Sequence, residues 1–258
     1  MSNTCTKTLR AFALVPLLAA VLLSGTPTEA ALYVVDNGSP AAADSNPGTP
    51  RAPWRTIQHA ADVAGPGDTV CVMEGTYDEL VKVKNGGAEG RMLTFRALPR
   101  RSVRVQGFIL DGVSHVRVEG FTIIPARKLP GVIAEGHYLE IVDNYVEGAM
   151  QAVQGTYGTV KRRRRDYSDA THVYVAYNEA YRCQYGFLIA GEDWLMESNE
   201  VHRLYAHVPQ DCDYTRVFGD NHVIRYNYFH DTDTRETGKA HVDGFQVFTA
   251  HALGARHI

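Results

Sequence analysis

Acids, imidazoles and cations crowd into two short stretches near the carboxyl end of the chain. The first offers His207, Asp211, Asp213 and Arg216, and the second offers His230, Asp231, Asp233, Arg235, Lys239, His241, Asp243 and Gln246. Two carboxylates flanking a glycosidic bond can cleave it, one as acid and one as nucleophile or base, at separations of about 5 to 9.5 Å. Asp213 with Asp243 is the pair that fits this use. If the surface only binds carbohydrate, aromatic platforms such as Tyr185, Tyr205, Tyr214 and Phe245 matter more than any carboxylate. His241, Asp243 and Gln246 are the tightest constellation, because an extended backbone alternates its side chains and so puts His241 and Asp243 on one face. Asp231 and Asp233 sit in a Thr/Asp-rich loop and are expected to bond their own backbone.

The two stretches can meet only if the chain brings corresponding positions together, and the sequence repeats in a way that does so. The run Asn221-His222-Val223-Ile224-Arg225-Tyr226-Asn227 alternates apolar residues and ends on asparagine. The same frame fits Asp193 to Asn199, Thr171 to Asn178 with one extra leading residue, and Tyr138 to Asn144, while Ser114 to Gly120 puts glycine where the others have asparagine. Self-similarity with a period of roughly 20 to 30 residues marks a solenoid. Each unit carries short runs rich in Val, Ile, Tyr and Phe, which are strand signals. One such unit cannot bury its apolar side unless neighbours stack on it. An all-β, single-stranded parallel β-helix follows, in which equivalent positions of adjacent coils lie about 4.8 Å apart. That spacing fuses the two polar stretches into one patch.

Three sheets are expected around the coil. Gly131 to Ala134, Gln151 to Gln154, Gly186 to Ala190, Thr215 to Phe218 and Gly244 to Phe248 form the first. The Val223-like runs form the second, and shorter runs such as Val201 to Leu204 and Tyr228-Phe229 form the third. The repeated asparagine is assigned to a bend that needs a left-handed backbone, with Gly120 meeting the same demand. Stacked at that bend, the amides can bond from coil to coil. His115, His172 and His222 are placed at one repeat position and read as a structural stack.

Met1 to Ala30 reads as a secretory signal: Lys7 and Arg10 precede an apolar run from Ala11 to Leu23, and Thr28-Glu29-Ala30 offers small residues for cleavage. The run is too short to span a membrane comfortably. A secreted, periplasmic or extracellular protein is expected, with residues 31–258 as its β-helix domain and no membrane span after cleavage. A net charge of −3 argues against a general nucleic-acid binder. Cys5 leaves with the signal, so Cys71, Cys183 and Cys212 remain; Cys183 with Cys212 is the one candidate disulfide, and three reduced side chains are the alternative. No CxxC or HxxxH spacing supports a zinc site.

Leu32 to Val35 is expected to be the first strand, and Trp54 to Ala64 a short amphipathic helix with Ile57, Ala60, Ala61 and Ala64 on one face, capping the open end of the solenoid. The segment from Tyr33 to Tyr77 holds an Asp-Asn-Gly-rich loop, Trp54-Arg55-Thr56-Ile57-Gln58-His59-Ala60, Gly65-Pro66-Gly67-Asp68-Thr69-Val70 and Glu74-Gly75-Thr76-Tyr77. It resembles the opening of exported right-handed parallel β-helix proteins, a group similar in architecture to pectate lyases and to chondroitinase-type and alginate-type polysaccharide lyases. With the repeats after Ser114 the resemblance covers nearly all of the mature chain, and it is specific for fold rather than substrate. It implies an acidic polysaccharide cleaved by β-elimination. Calcium held by Asp211, Asp213 and Asp243 would neutralise the uronate, and Lys239 or Arg216 would remove the adjacent proton with help from His241. Gln246, Tyr214, Tyr185 and His207 would contact the sugar. The adjacent Asp-Asp pair seen among those lyases has no counterpart in this chain.

Two insertions interrupt the rhythm. Thr156 to Asp169 contains Lys161-Arg162-Arg163-Arg164-Arg165, a solvated loop or a rim that attracts polyanions, and Ala206 to Tyr214 precedes a first-sheet strand. The chain stops at Arg256-His257-Ile258 as another second-sheet strand begins, so further coils are expected, in a protein that is monomeric when complete.

Overall fold

The computed structural model describes residues 29–126, 128–155, 170–247 and 255–256. The expected signal segment up to Thr28, the Lys161 to Arg165 run and Phe248 lie outside these residues. The chain winds into a right-handed parallel β-helix. Val132–His137, Gln151–Gln154, Tyr185–Ile189, Thr215–Val217 and Phe245–Gln246 stack as the first sheet, joined by parallel ladders. Val116–Glu119, Glu140–Val142, Tyr174–Ala176, Leu195–Glu197 and Val223–Arg225 make the second. Thr122–Ile123, Tyr145–Glu147, Glu179–Tyr181, Glu200–His202 and Tyr228–His230 make the third.

Alternation along each short strand sends every second residue inward, and stacking in register then places like above like. Val118, Ile141, Val175 and Met196 form one buried column, and Ile123, Val146, Ala180 and Val201 form another. Each fully buried valine, isoleucine or methionine among them stabilises the fold by about 1.5 to 3 kcal/mol. The first sheet contributes Phe108, which packs between Phe95 and Phe121 with ring centroids 6.0 and 5.0 Å away. Gly186, second in its strand, sits where nothing larger fits: a Cβ there would lie 2.3 Å from the Tyr214 carbonyl oxygen of the next coil.

The capping helix spans Ile57–Val63, one turn shorter at its start than the periodicity predicts, because Thr56 serves as N-cap and its Oγ1 accepts the His59 N–H at 3.1 Å. The Glu79 carboxylate accepts the free Ile57 and Gln58 N–H groups at 3.1 and 2.7 Å. Ile57, Ala60, Ala61 and Ala64 are all buried against Val35, Val70 and Val72. Cys71, Cys183 and Cys212 are buried and unbridged, so the candidate disulfide does not form. Among the described residues no helix is long and apolar enough to cross a membrane.

The asparagine column exists, but its geometry differs from expectation by one residue. The left-handed backbone falls on the residue before each asparagine: Gly120, Asp143, Tyr177, Ser198 and Tyr226 have φ between 55° and 79°. Gly120 therefore matches Asp143, and Phe121 matches Asn144. The kink turns each asparagine inward, where Asn144, Asn178 and Asn199 are buried. Oδ1 of Asn178 accepts both the backbone N–H and the Nδ2 of Asn144 at 3.0 Å, and Asn199 does the same for Asn178. The second Nδ2 hydrogen reaches a carbonyl of the coil before, Val118 for Asn144 and Ile141 for Asn178. The ladder thus satisfies buried polar groups at a corner where the strand hydrogen bonds stop.

A second left-handed column opens the second sheet at His115, Tyr138, His172, Asp193 and Asn221. The rings of His115, Tyr138 and His172 stack with centroids 4.7 Å apart, as a structural column should. His222 does not belong to it. Since Val223 pairs with Leu195, His222 takes the inward position of Trp194. It is buried, accepts the Trp194 N–H at Nδ1 (3.2 Å) and donates from Nε2 to the Phe218 carbonyl (2.9 Å). Burial holds this imidazole below its ordinary 6.5, against the pull of the Phe218 carbonyl and nearby acids. As pH falls through that value the unfolded chain takes up a proton that the folded chain refuses, so stability is lost on acidification. Denaturant titrations at pH 7.5 and 5.5 should show His222→Leu losing up to about 1 kcal/mol less than the wild type between the two; equal losses would exclude His222 as an acid-sensitive group.

Candidate functional site

The last two first-sheet strands and the segments that lead into them form the patch. Parallel pairing continues upstream of the strands, with the Cys212 N–H donating to the His241 carbonyl at 2.7 Å and the Tyr214 N–H to that of Asp243 at 2.9 Å. Asp213 and Asp243 therefore face each other across adjacent coils, as the repeat predicts. Asp211, Asp213, Arg216, Tyr185, His241, Asp243 and Gln246 do come together.

Within the patch the acids are not equivalent. Asp213 is fully buried: its Oδ2 accepts Arg216 Nε at 2.6 Å, and its Oδ1 accepts the Asp243 N–H at 3.2 Å. Burial pushes its carboxyl up, with the Arg216 hydrogen bond and charge pulling the other way. Arg216 also donates from Nη2 to Asp211 Oδ2 at 3.2 Å, and its guanidinium lies 4.2 Å over the Tyr185 ring. The accessible carboxylates are Asp211 and Asp243, with side chains 43% and 37% exposed. Gln246 Nε2 spans them, 3.4 Å from Oδ2 of each. His241 Nδ1 stands 3.5 Å from Asp243 Oδ2. Gln246 Oε1 is buried and has no hydrogen-bond partner among the described residues.

Other expected residues lie elsewhere. Tyr214 turns away from the patch, stacking on Phe229 at 5.1 Å and placing its hydroxyl 2.6 Å from Thr232 Oγ1. Tyr185 is buried beneath Arg216, a platform for the guanidinium rather than for a sugar. His207 and Lys239 line a neighbouring cleft of about 420 Å³ that reaches Asp211. The His207 ring is held below its usual range chiefly by burial and donates from Nε2 to the Arg182 carbonyl at 3.0 Å. Asp233 bonds its own backbone, accepting the Arg235 N–H at 2.8 Å as a helix cap, whereas Asp231 pairs with His230.

Gln184 is the residue that sequence reasoning passed over. Fully buried, it donates from Nε2 to the carbonyls of Val208, Gln210 and Asp211 at 3.1 to 3.4 Å and accepts the Val208 N–H at 2.9 Å. It holds the inserted loop so that Asp211 meets Arg216. Its position just ahead of a first-sheet strand, at the edge of the polar zone, was the available signal.

Calcium does not fit the acids as they stand. The ion needs about six to eight oxygen ligands, and here Arg216 already occupies the space between Asp211 and Asp213 as their shared cation. Asp243 meets the amide of Gln246 rather than an open cage.

Residues 41–84 match the family described as protein of unknown function DUF1565. The chain is 43% identical over 76 residues to the uncharacterized protein YwoF of Bacillus subtilis (strain 168), covering 30% of this chain and 15% of that protein. The crystal structure of GH136 lacto-N-biosidase from Eubacterium ramulus superposes with a TM-score of 0.62 at 12% identity, over 81% of this chain and 47% of that one. Pectate lyase Pel9A gives a TM-score of 0.52 at 15% identity, over 76% and 54%. The fold is that of the pectate-lyase-like β-helices. Rhamnogalacturonan lyase gives 0.50 at 12% identity, over 88% and 65%. The chain spans about half the length of the lacto-N-biosidase and of Pel9A. Lyases and a glycosidase thus share this scaffold, and the chemistry must be read from the side chains.

Proposed function

We propose that this protein hydrolyses a glycosidic bond in a polysaccharide laid along the first sheet, with Asp211 and Asp243 as the reacting carboxyl pair. The observation that carries the reading is the Gln246 amide bridging both carboxylates at 3.4 Å. The two lie no farther apart than the window of about 5 to 9.5 Å allows for acid and base on one bond. Asp211, beside the Arg216 guanidinium, is suited to carry negative charge as nucleophile or base. Asp243, on the other side of the Gln246 amide and next to His241, takes the complementary role of the pair. Asp213 replaces neither, because it is shut away from any substrate and serves to aim Arg216. The cleft lined by His207 and Lys239 extends the surface past Asp211.

The β-elimination implied by the resemblance is the less favoured reading. It needs a cation to neutralise a uronate; among the described residues Arg216 is spent on two acids, and Lys239 lines the neighbouring cleft rather than the carboxyl pair. Exposed Asp211 and Asp243 repel a polyanion, which favours a neutral saccharide. The test is to incubate the full chain with neutral polysaccharides such as xylan, galactan and arabinan, and with pectate, alginate and chondroitin, with and without calcium. New reducing ends without the absorbance of an unsaturated uronate are expected from a neutral substrate. Calcium-dependent unsaturated product would overturn hydrolysis, and retention without turnover would leave a binding module.

A further inference from the structure

On the third sheet, away from the carboxyl pair, the last two coils build a different cluster. Glu200–His202 pairs in register with Tyr228–His230, so His202 lies directly beside His230. Alternation turns Val201 and Phe229 inward and leaves Glu200, His202, Tyr228 and His230 on the outer face. The two imidazoles stack with centroids 5.1 Å apart and planes within 7° of parallel. His230 Nε2 stands 2.9 Å from Glu200 Oε1.

We propose that Glu200, His202 and His230 form a binding site for one divalent transition-metal ion of the zinc class. One donor atom from each lies within 4.8 Å of the other two. Zinc bonds of about 2.0 to 2.2 Å to nitrogen and oxygen place tetrahedral ligands about 3.3 Å apart, so the rings need to swing together only modestly, and on an outer face they have room. Two imidazoles with a single carboxylate are a donor set for zinc, cobalt or nickel rather than for calcium or magnesium. Asp231 Oδ2 lies 2.9 Å from His230 Nδ1. That contact keeps a proton on Nδ1 and directs the Nε2 lone pair at the ion, in the carboxylate–histidine–metal arrangement common to such sites. Glu179 Oε1 lies 3.3 Å from His202 Nε2, but its other oxygen takes Arg101 Nη1 at 2.7 Å, so Glu179 orients the ring rather than ligating. Three protein ligands leave a fourth position for water. Binding displaces any proton on His230 Nε2 to solvent, and the ion takes over the role of cation beside Glu200.

The cluster has no sequence signature because its ligands come from adjacent coils. It also ties Glu200–His202 to Tyr228–His230, so loading should stiffen these two coils. The proposal is independent of any glycosidase activity.

The test uses the full chain, stripped with chelator and dialysed against zinc chloride. One zinc per chain, a micromolar or tighter Kd and a rise in Tm with zinc are expected, and cobalt should give the visible absorption of a tetrahedral site. His202→Gln and His230→Gln, which keep a polar outer face, should each weaken binding by tenfold or more, and Asp231→Asn by about tenfold. His172→Ala, on the second sheet, should leave the Kd unchanged. Absence of stoichiometric zinc, or a Kd unaffected by His202→Gln and His230→Gln in chains with wild-type circular dichroism, overturns the site. Calcium competing at equal concentration overturns the assignment of metal class.

Discussion

Asp243→Asn and Asp211→Asn should each lower kcat on a cleaved polysaccharide by about a thousandfold, while moving Tm by only a few degrees. Asparagine keeps the shape of the side chain and still offers an oxygen to Gln246 Nε2, so the bridge at 3.4 Å can persist. What it removes is the capacity to give, take or share a proton, which contributes about a hundred- to ten-thousandfold in enzymes of this kind. Asp213→Asn separates the two roles. It removes the charge of fully buried Asp213 from its pairing with Arg216, whose side chain is 17% exposed, and should cost about 3 kcal/mol of stability, with kcat falling only as Arg216 and Asp211 loosen. Initial rates by reducing-sugar assay and unfolding by calorimetry distinguish the cases. More than a tenth of wild-type kcat in Asp243→Asn would remove the carboxyl pair from the mechanism.

The meeting of the two polar stretches was legible from the repeat, because a stacked coil leaves corresponding positions no other place to go. Which acid faces the solvent was not. Period-two reasoning holds within a strand, but Asp211 and Asp213 sit in the irregular entry to one, where the burial of Asp213 is decided by the guanidinium of Arg216, three residues ahead. The same irregularity hid Tyr214, whose ring stacks on Phe229 across the interior. Gln184 is a single amide whose four hydrogen bonds are to a loop more than twenty residues away, and no local pattern announces such a clamp. The His202 and His230 pair follows from the register of adjacent coils, which spacing rules for zinc do not sample.

The three-sheet path was likewise legible, yet its corners were misassigned. Sequence reasoning gave the left-handed conformation to asparagine because asparagine tolerates it. Here tyrosine, serine and aspartate adopt it instead, at roughly 1 kcal/mol each, because the asparagine one place on gains more by pointing inward. The one-residue shift also moves His222 from the stacked outer column to the core. In the first coils, which lack these asparagines, Thr69–Lys82 and Leu93–Ser114 run on around the corners, with register shifts between Met73 and Gly75 and between Tyr77 and Leu80. Bulges turn the chain there, and bulges leave little trace in composition.

Asn178→Ala should destabilise the chain by about 3 to 5 kcal/mol, among the larger costs of any single substitution. Its Oδ1 is the acceptor for both the N–H and the Nδ2 of Asn144, and its Nδ2 donates to Asn199 Oδ1 and to the Ile141 carbonyl. Alanine cancels these bonds in the dry interior and strands donors and acceptors on both neighbouring coils, each costing about 1 to 3 kcal/mol when water cannot replace the partner. Asn178→Asp gives no relief: it keeps the acceptor but loses the donor and buries a charge that meets no cation among the described residues. Asn227, the last described member of the column and only half-buried, accepts from Asn199 in the same way. Water can reach a half-buried amide, so Asn227→Ala should cost about 1 kcal/mol. The contrast between a buried and a half-buried position is the signature of a ladder, since four independent surface amides would show none. Denaturant midpoints measured side by side decide it, and equal small losses at both positions would reduce the column to an incidental alignment.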